Sequence, residues 1–258
     1  MTDVSEMSFL AHLKELRTRI VAAACGIGLA SCFTLWFATQ IFGVLREPMV
    51  KYFEGVQLIG TGPAEAFIIK LKVGLVAGLF VSLPHTFLQV WKFVAPGMHE
   101  HERKYAIPFI IATTMFFLLG SAFCFYVVLP FAFDFFAQEF RSVGLSPQIR
   151  ISEYFSFAIG LIVVFGVMFE MPLFAYLLTR FGVLKPQWLI AKFRYAVVVI
   201  FIVSAILTPP DVVTQCLLAF PLIALYGLSI LVSRFALKNV RTPTTSSVPV
   251  LAGSKDVS

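Results

Sequence analysis

Phe93-Val94-Ala95-Pro96-Gly97-Met98-His99-Glu100-His101-Glu102-Arg103-Lys104 is a charged island between two long apolar runs. From His99 to Lys104 it places two histidines, two carboxylates and two cations in succession. The runs beside it decide the fold. The 258-residue chain is 59% hydrophobic and only 13% charged, with a mean hydropathy of +0.90. A soluble domain carries about 25% charged residues, so this is an integral membrane protein. The runs are long and unpunctuated rather than alternating, which predicts helices and not an outer-membrane barrel.

Working outward, the sequence predicts an all-α membrane protein with six transmembrane helices. The expected spans are 20–42, 66–94, 105–136, 152–178, 193–207 and 212–232, with helices five and six short. Residues 1–19 form a cytoplasmic amphipathic N-terminal helix, 20–236 the six-helix membrane domain, and 237–258 a disordered cytoplasmic tail rich in Thr, Ser and Pro. Pro84 lies inside the second span and is expected to kink it. Residues 43–65 read as a long loop folded against the membrane face. No cleavable signal peptide is expected, because nearly twenty residues of mixed charge precede the first apolar run.

Lys and Arg divide fourteen to six between the two sets of connections, counted over the twenty in the chain. The positive-inside rule then places both termini, and the 93–104 island, in the cytoplasm. The N-terminal stretch His12-Leu13-Lys14-Glu15-Leu16-Arg17-Thr18-Arg19 shares that side. Phe9, Leu13, Leu16 and Ile20 recur at helical spacing, with His12, Glu15 and Arg19 on another face. Taken alone, Glu15 and Arg19 make an ordinary i,i+4 pair. The net charge of +6 reflects membrane orientation and gives no sign of nucleic-acid binding.

Two polar groups stand in apolar surroundings. Glu170 lies about 15 Å before the cytoplasmic end of its span, at 1.5 Å per residue, near the middle of a core about 30 Å thick. A carboxyl group there must face protein, water or a partner. Asp211 follows the break Thr208-Pro209-Pro210, with Gln215 one turn later on the same face. Asp211 is equally well placed as the N-cap of the sixth helix. The four cysteines lie in apolar runs and read as small hydrophobes. No metal spacing, nucleophile motif or phosphate loop is present, so neither cofactor nor metal is expected and an enzyme is excluded.

Four segments occur in order along the chain: Ser8-Phe9-Leu10-x-His12-Leu13-x-Glu15-Leu16-Arg17-x-Arg19-Ile20; Phe93-x-Ala95-Pro96 with Glu102-Arg103; Phe169-Glu170-x-Pro172; and Thr208-Pro209-x-Asp211 with Gln215. Together they resemble the TatC family, the multi-span core of the twin-arginine protein translocase. Met98-His99 departs from the aliphatic–aromatic pair usual there. The resemblance implies a receptor for signal peptides bearing two adjacent arginines on folded cargo. It implies single-span TatA and TatB partners, a homo-oligomeric complex, transport driven by the proton gradient, and a bacterial inner membrane. It further implies that Glu15 and Glu102 receive the arginine pair, with Phe93, Pro96, Arg17 and Arg103 shaping the site. Glu170, Asp211 and Gln215 would serve the surface that meets partner helices and the signal's apolar part. Guanidinium matches a carboxylate bidentately and lysine does not, which gives two carboxylates a basis for choosing Arg-Arg over Lys-Lys. The competing reading is a proton-coupled small-solute transporter using Glu170 and Asp211.

Overall fold

A computed structural model describes residues 2–53, 55–94, 106–208 and 211–240, with side chains from His12 to Leu237 within those ranges. The described part is helical: α1 (Thr2–Trp36), α2 (Ala38–Tyr52), α3 (Glu65–Val81), α4 (Leu83–Val94), α5 (Ala106–Phe123), α6 (Leu129–Ser142), α7 (Ile151–Phe169), α8 (Met171–Arg180), α9 (Pro186–Ala191), α10 (Phe193–Leu207) and α11 (Val212–Val240). A π-helical turn, Cys124–Val128, joins α5 to α6 into one apolar helix of 37 residues.

By length and apolarity four helices are able to cross a bilayer, or five if the bent pair α3–α4 counts as one span. The apolar helix α10 has 15 residues, about 22 Å, less than the hydrocarbon thickness. The sixth segment is not short, contrary to expectation. α11 runs 29 residues and carries Pro221 in its interior, because the apolar run and the helix formers after it continue past Val232. α1 is one uninterrupted helix through residues 19 and 20.

The breaks have local causes. Pro84 has no N–H to give the Phe80 carbonyl, and α3 and α4 meet at Ser82 with a bend of 57°. Ser82 donates its N–H to Gly78 O at 2.9 Å and its hydroxyl to Leu79 O at 2.9 Å. Pro172 likewise denies Met168 a partner, and α7 stops at Phe169. The expected loop 43–65 proves to be helical as far as Tyr52, because α2 tolerates Pro48.

Helix α1 packs closely on α3 through Gly74 and Gly78, a small-xxx-small pair. Thr34 Oγ1 donates to Gly74 O at 2.6 Å, and a Cβ at Gly78 would stand 2.5 Å from Ser31 Cα. One core cluster joins Phe155, Leu161 and Phe165 of α7, Leu218 and Leu222 of α11 and Leu129 of α6. The chain holds 29 phenylalanines, and the described ones serve the interior of the bundle more than its surface. Phe33, Phe37, Phe67, Phe131, Phe193, Phe220 and Phe235 are exposed, but most of the described ones are buried or half-buried, many of them ring-packed.

At one end of the bundle two connections meet. Ile59 N–H donates to Ile149 O at 2.9 Å and Ile151 N–H to Ile59 O at 3.0 Å. Glu65 accepts the N–H groups of Thr61 at 2.6 Å and Ser152 at 3.1 Å. Tyr154 donates to Leu45 O at 2.6 Å. At the opposite end, Thr179 and Ser233 share a hydrogen bond of 2.6 Å and Tyr226 donates to Leu189 O at 2.9 Å.

Candidate functional site

The first candidate lies where the N-terminal part of α1 meets the C-terminal end of α4. The His12 ring stacks on Phe93, with centroids 4.6 Å apart and planes 27° from parallel. His12, Glu15 and Arg19 share one helix face, so this stack turns that face toward the end of α4. Arg19 Nη2 donates to Glu15 Oε1 at 3.3 Å, each side chain about a third exposed at 31% and 30%. Arg19 Nε has no partner among the described residues. Arg17 is exposed, two residues from Glu15 and off that face. Pro96, Glu102 and Arg103 lie outside the described residues, as does the island from residue 95 onward.

Further along the same helix pair, His85 Nε2 lies 3.1 Å from the Ala22 carbonyl. Gln89 Nε2 lies 3.4 Å from the same ring nitrogen, so a given tautomer serves one contact or the other. The ring sits over Gly26, where a Cβ would stand 2.4 Å from His85 Cδ2. Sequence reasoning did not single out His85, Gln89 or Gly26. The pairing needs the α1–α4 register, and no local pattern in either helix reports it. The Gly74-xxx-Gly78 spacing was visible and is the signal that would have found the α1–α3 contact.

The second candidate is Glu170, at the break between α7 and α8. It is 4% exposed, and neither carboxylate oxygen has a hydrogen-bond partner among the described residues. Its neighbourhood is apolar: Gly120 of α5 approaches the Phe165 carbonyl and the Phe169 side chain. A buried polar group without a partner is costly, so its retention needs an occupant or a proton.

Asp211 and Gln215 are engaged within the bundle. Asp211 Oδ1 accepts Thr214 N–H at 2.7 Å, and its other oxygen accepts the Thr214 hydroxyl. It caps α11. Gln215 Nε2 donates to Phe201 O at 3.0 Å, tying α11 to α10. The sequence brings these residues one turn apart, and the structure gives each a partner inside the chain. Among the described residues no cluster of His, Cys, Asp or Glu is able to hold a metal ion.

The family model for the Sec-independent protein translocase protein (TatC) matches residues 11–221. The chain belongs to the TatC family. It is 35% identical over 231 residues to the Sec-independent protein translocase protein TatC of Aquifex aeolicus, covering 89% of this chain and 96% of that one. It is 41% identical over 225 residues to the protein of the same name from Helicobacter pylori strain J99, covering 86% of this chain and 87% of that one. Its fold matches a crystal structure described as the twin arginine translocase receptor TatC, with a TM-score of 0.81 at 34% identity, covering 87% of this chain and 99% of that one. This TatC-family chain is a multi-pass membrane protein of a protein translocase, and membership favours that role over the solute-transporter reading of Glu170 and Asp211.

Proposed function

We propose that the chain is the receptor and assembly core for twin-arginine signal peptides in proton-gradient-driven translocation of folded proteins across a bacterial inner membrane. Both termini lie in the cytoplasm and six segments span the bilayer. Residues 1–19 are its cytoplasmic N-terminal helix and 20–236 its membrane domain. The observation that carries the reading is the His12–Phe93 stack, because it turns the Glu15 face of α1 toward the end of α4, the helix that precedes Glu102 in the sequence. Glu15 and Glu102 each take one guanidinium of the signal, with Arg17, Phe93, Pro96 and Arg103 shaping the site.

In this reading Glu15 exchanges its Arg19 contact for a stronger one. The existing pair is single and long, at 3.3 Å and part-exposed, worth well under 1 kcal/mol. A bidentate guanidinium offers two parallel hydrogen bonds. Glu170, unpartnered and buried, is the polar point at which the signal's apolar segment or a single-span partner of the TatA or TatB type meets the bundle. Asp211 and Gln215 hold the α10–α11 surface in shape for the same partners, in a complex containing several copies of the chain. Photo-crosslinking tests the arrangement: a probe at residue 16 should capture an Arg-Arg signal peptide and release it to competition by unlabelled Arg-Arg but not Lys-Lys peptide. Capture that both peptides compete equally would contradict it.

A further inference from the structure

We infer that the groove between α3 and α7, with Lys72 at its end, is a binding site for an anionic phospholipid of the extracytoplasmic leaflet. The groove is apolar. Ile68, Leu71, Leu75, Val76, Ile159 and Gly160 line a cavity of about 420 Å³ together with Lys72 and Ser156. A second cavity, about 370 Å³, continues from it at Ile68 and Lys72 and is bordered by Thr61, Glu65, Arg150 and Ser152. An acyl-chain slot thus opens into a second pocket with polar groups at its border, where the 61–65 and 150–152 segments meet.

The charges select the occupant. Lys72 is seven residues into α3, about 10 Å from its start at 1.5 Å per residue, and its side chain is exposed at the bundle surface. Among the described residues it makes one long contact, 3.5 Å to Ser156 Oγ, and joins neither of the described ion pairs. Glu65, which borders the second cavity, already accepts the N–H groups of Thr61, Gly62 and Ser152. Arg150 borders the second pocket, paired with the exposed Glu153 at 3.2 Å and donating to Thr61 Oγ1 at 2.9 Å. A lysine within the apolar belt needs an anion or a snorkelling path to one. A phosphodiester at the pocket supplies that anion, and Arg150 and Thr61 add donors.

Size favours a lipid over a helix. A helix is about 10 Å across, so 420 Å³ holds a single turn of one at most, whereas a flexible acyl chain fills it lengthwise. This assignment does not depend on the signal-peptide reading, and only its leaflet rests on the proposed orientation of the termini.

The test uses the purified full chain in neutral detergent. Phosphatidylglycerol and phosphatidylcholine are titrated separately and bound lipid is counted by native mass spectrometry. The wild-type chain should retain phosphatidylglycerol at least fivefold over phosphatidylcholine. Lys72→Leu should abolish that preference, Lys72→Arg should keep it, and Gly160→Leu, which fills the slot, should lower retention of both lipids. Lys70→Gln, an exposed change on the same helix, should have no effect, and each variant's melting temperature reports whether it folds. Equal retention of the two lipids by the wild type overturns the proposal, as does an unchanged preference in a folded Lys72→Leu variant. If lipid shows no preference while Lys72→Leu abolishes co-purification of a single-span protein, the groove is a helix-docking face and the lipid assignment is wrong.

Discussion

The His12 imidazole lies on the Phe93 ring at a centroid separation of 4.6 Å. That contact fixes which face of the N-terminal helix looks at the end of α4, and therefore where Glu15 stands. Aromatic pairs of this kind contribute about 0.5–1.5 kcal/mol beyond their buried area. Replacing His12 with Ala, or Phe93 with Ala, should weaken signal-peptide binding by roughly two- to tenfold. The double variant should be no worse than the more damaging single one, as a coupled pair requires. Anisotropy titration of a labelled peptide measures all three.

Glu15→Gln separates stability from recognition. Its ion pair with Arg19 is an i,i+4 contact about one-third exposed, worth about 0.3–0.5 kcal/mol. The melting temperature in detergent should barely move. Binding of an Arg-Arg peptide should fall by about ten- to a hundredfold, the loss of a charge-assisted hydrogen bond of roughly 1.5–3 kcal/mol. A large drop in melting temperature with unchanged affinity would mark Glu15 as structural.

Glu170 should show the opposite pattern. Among the described residues neither of its buried oxygens makes a well-formed hydrogen bond, the one polar group acting on it being the Phe117 backbone, so Glu170→Leu removes a desolvation cost of about 1–3 kcal/mol. The variant should be as stable as the parent or more so in thermal unfolding. In inverted membrane vesicles it should nevertheless fail to support transport, if the carboxyl group meets the signal or a partner helix. Retained transport in the stabilised variant would show that the group has no such task.

At Asp211, two substitutions divide capping from charge. Asp211 accepts Thr214 N–H at 2.7 Å, and losing such a cap costs about 0.5–2 kcal/mol. Asp211→Ala should destabilise by that amount, while Asp211→Asn keeps the cap and should unfold near the parent temperature. Transport that fails in Asp211→Asn as well would show that the negative charge matters beyond α11.

The α1–α3 contact has little tolerance. A Cβ at Gly78 would meet Ser31 Cα at 2.5 Å, which is backbone and has no rotamer to escape into. Gly78→Leu should separate the helices and destabilise by about 1–3 kcal/mol or more. Gly28, with open space around it, should accept Leu without loss. Thermal unfolding of the two variants side by side checks this.

Most of the architecture was written in the sequence as hydropathy and proline. The kink at Pro84 and the break before Pro172 follow from missing N–H groups, which are local causes. The length of α11 was not legible, because the expected span ended with the apolar run at Val232 and the helix continues through the more polar residues after it to Val240. The helical α2 was hidden by Pro48 and by the glycines after it. In the candidate site, Glu15 and Phe93 were named on their segments, but the ring that joins them, His12, was read only as part of a charged face. His85 over Gly26 was missed because contact between helices depends on register and not on either segment alone. Asp211 was legible as a cap, since Asp before a helical run is a local signal.

The most direct measurement is the affinity of the purified chain in nanodiscs for a fluorescent Arg-Arg signal peptide, set against its Lys-Lys counterpart, for the parent, Glu15→Gln and Glu102→Gln. The account predicts tight binding of Arg-Arg, at least tenfold weaker binding of Lys-Lys, and a matching loss in each variant. Equal affinity for the two peptides, unchanged by either substitution, would contradict it and leave the Glu15 face as solvated helix surface.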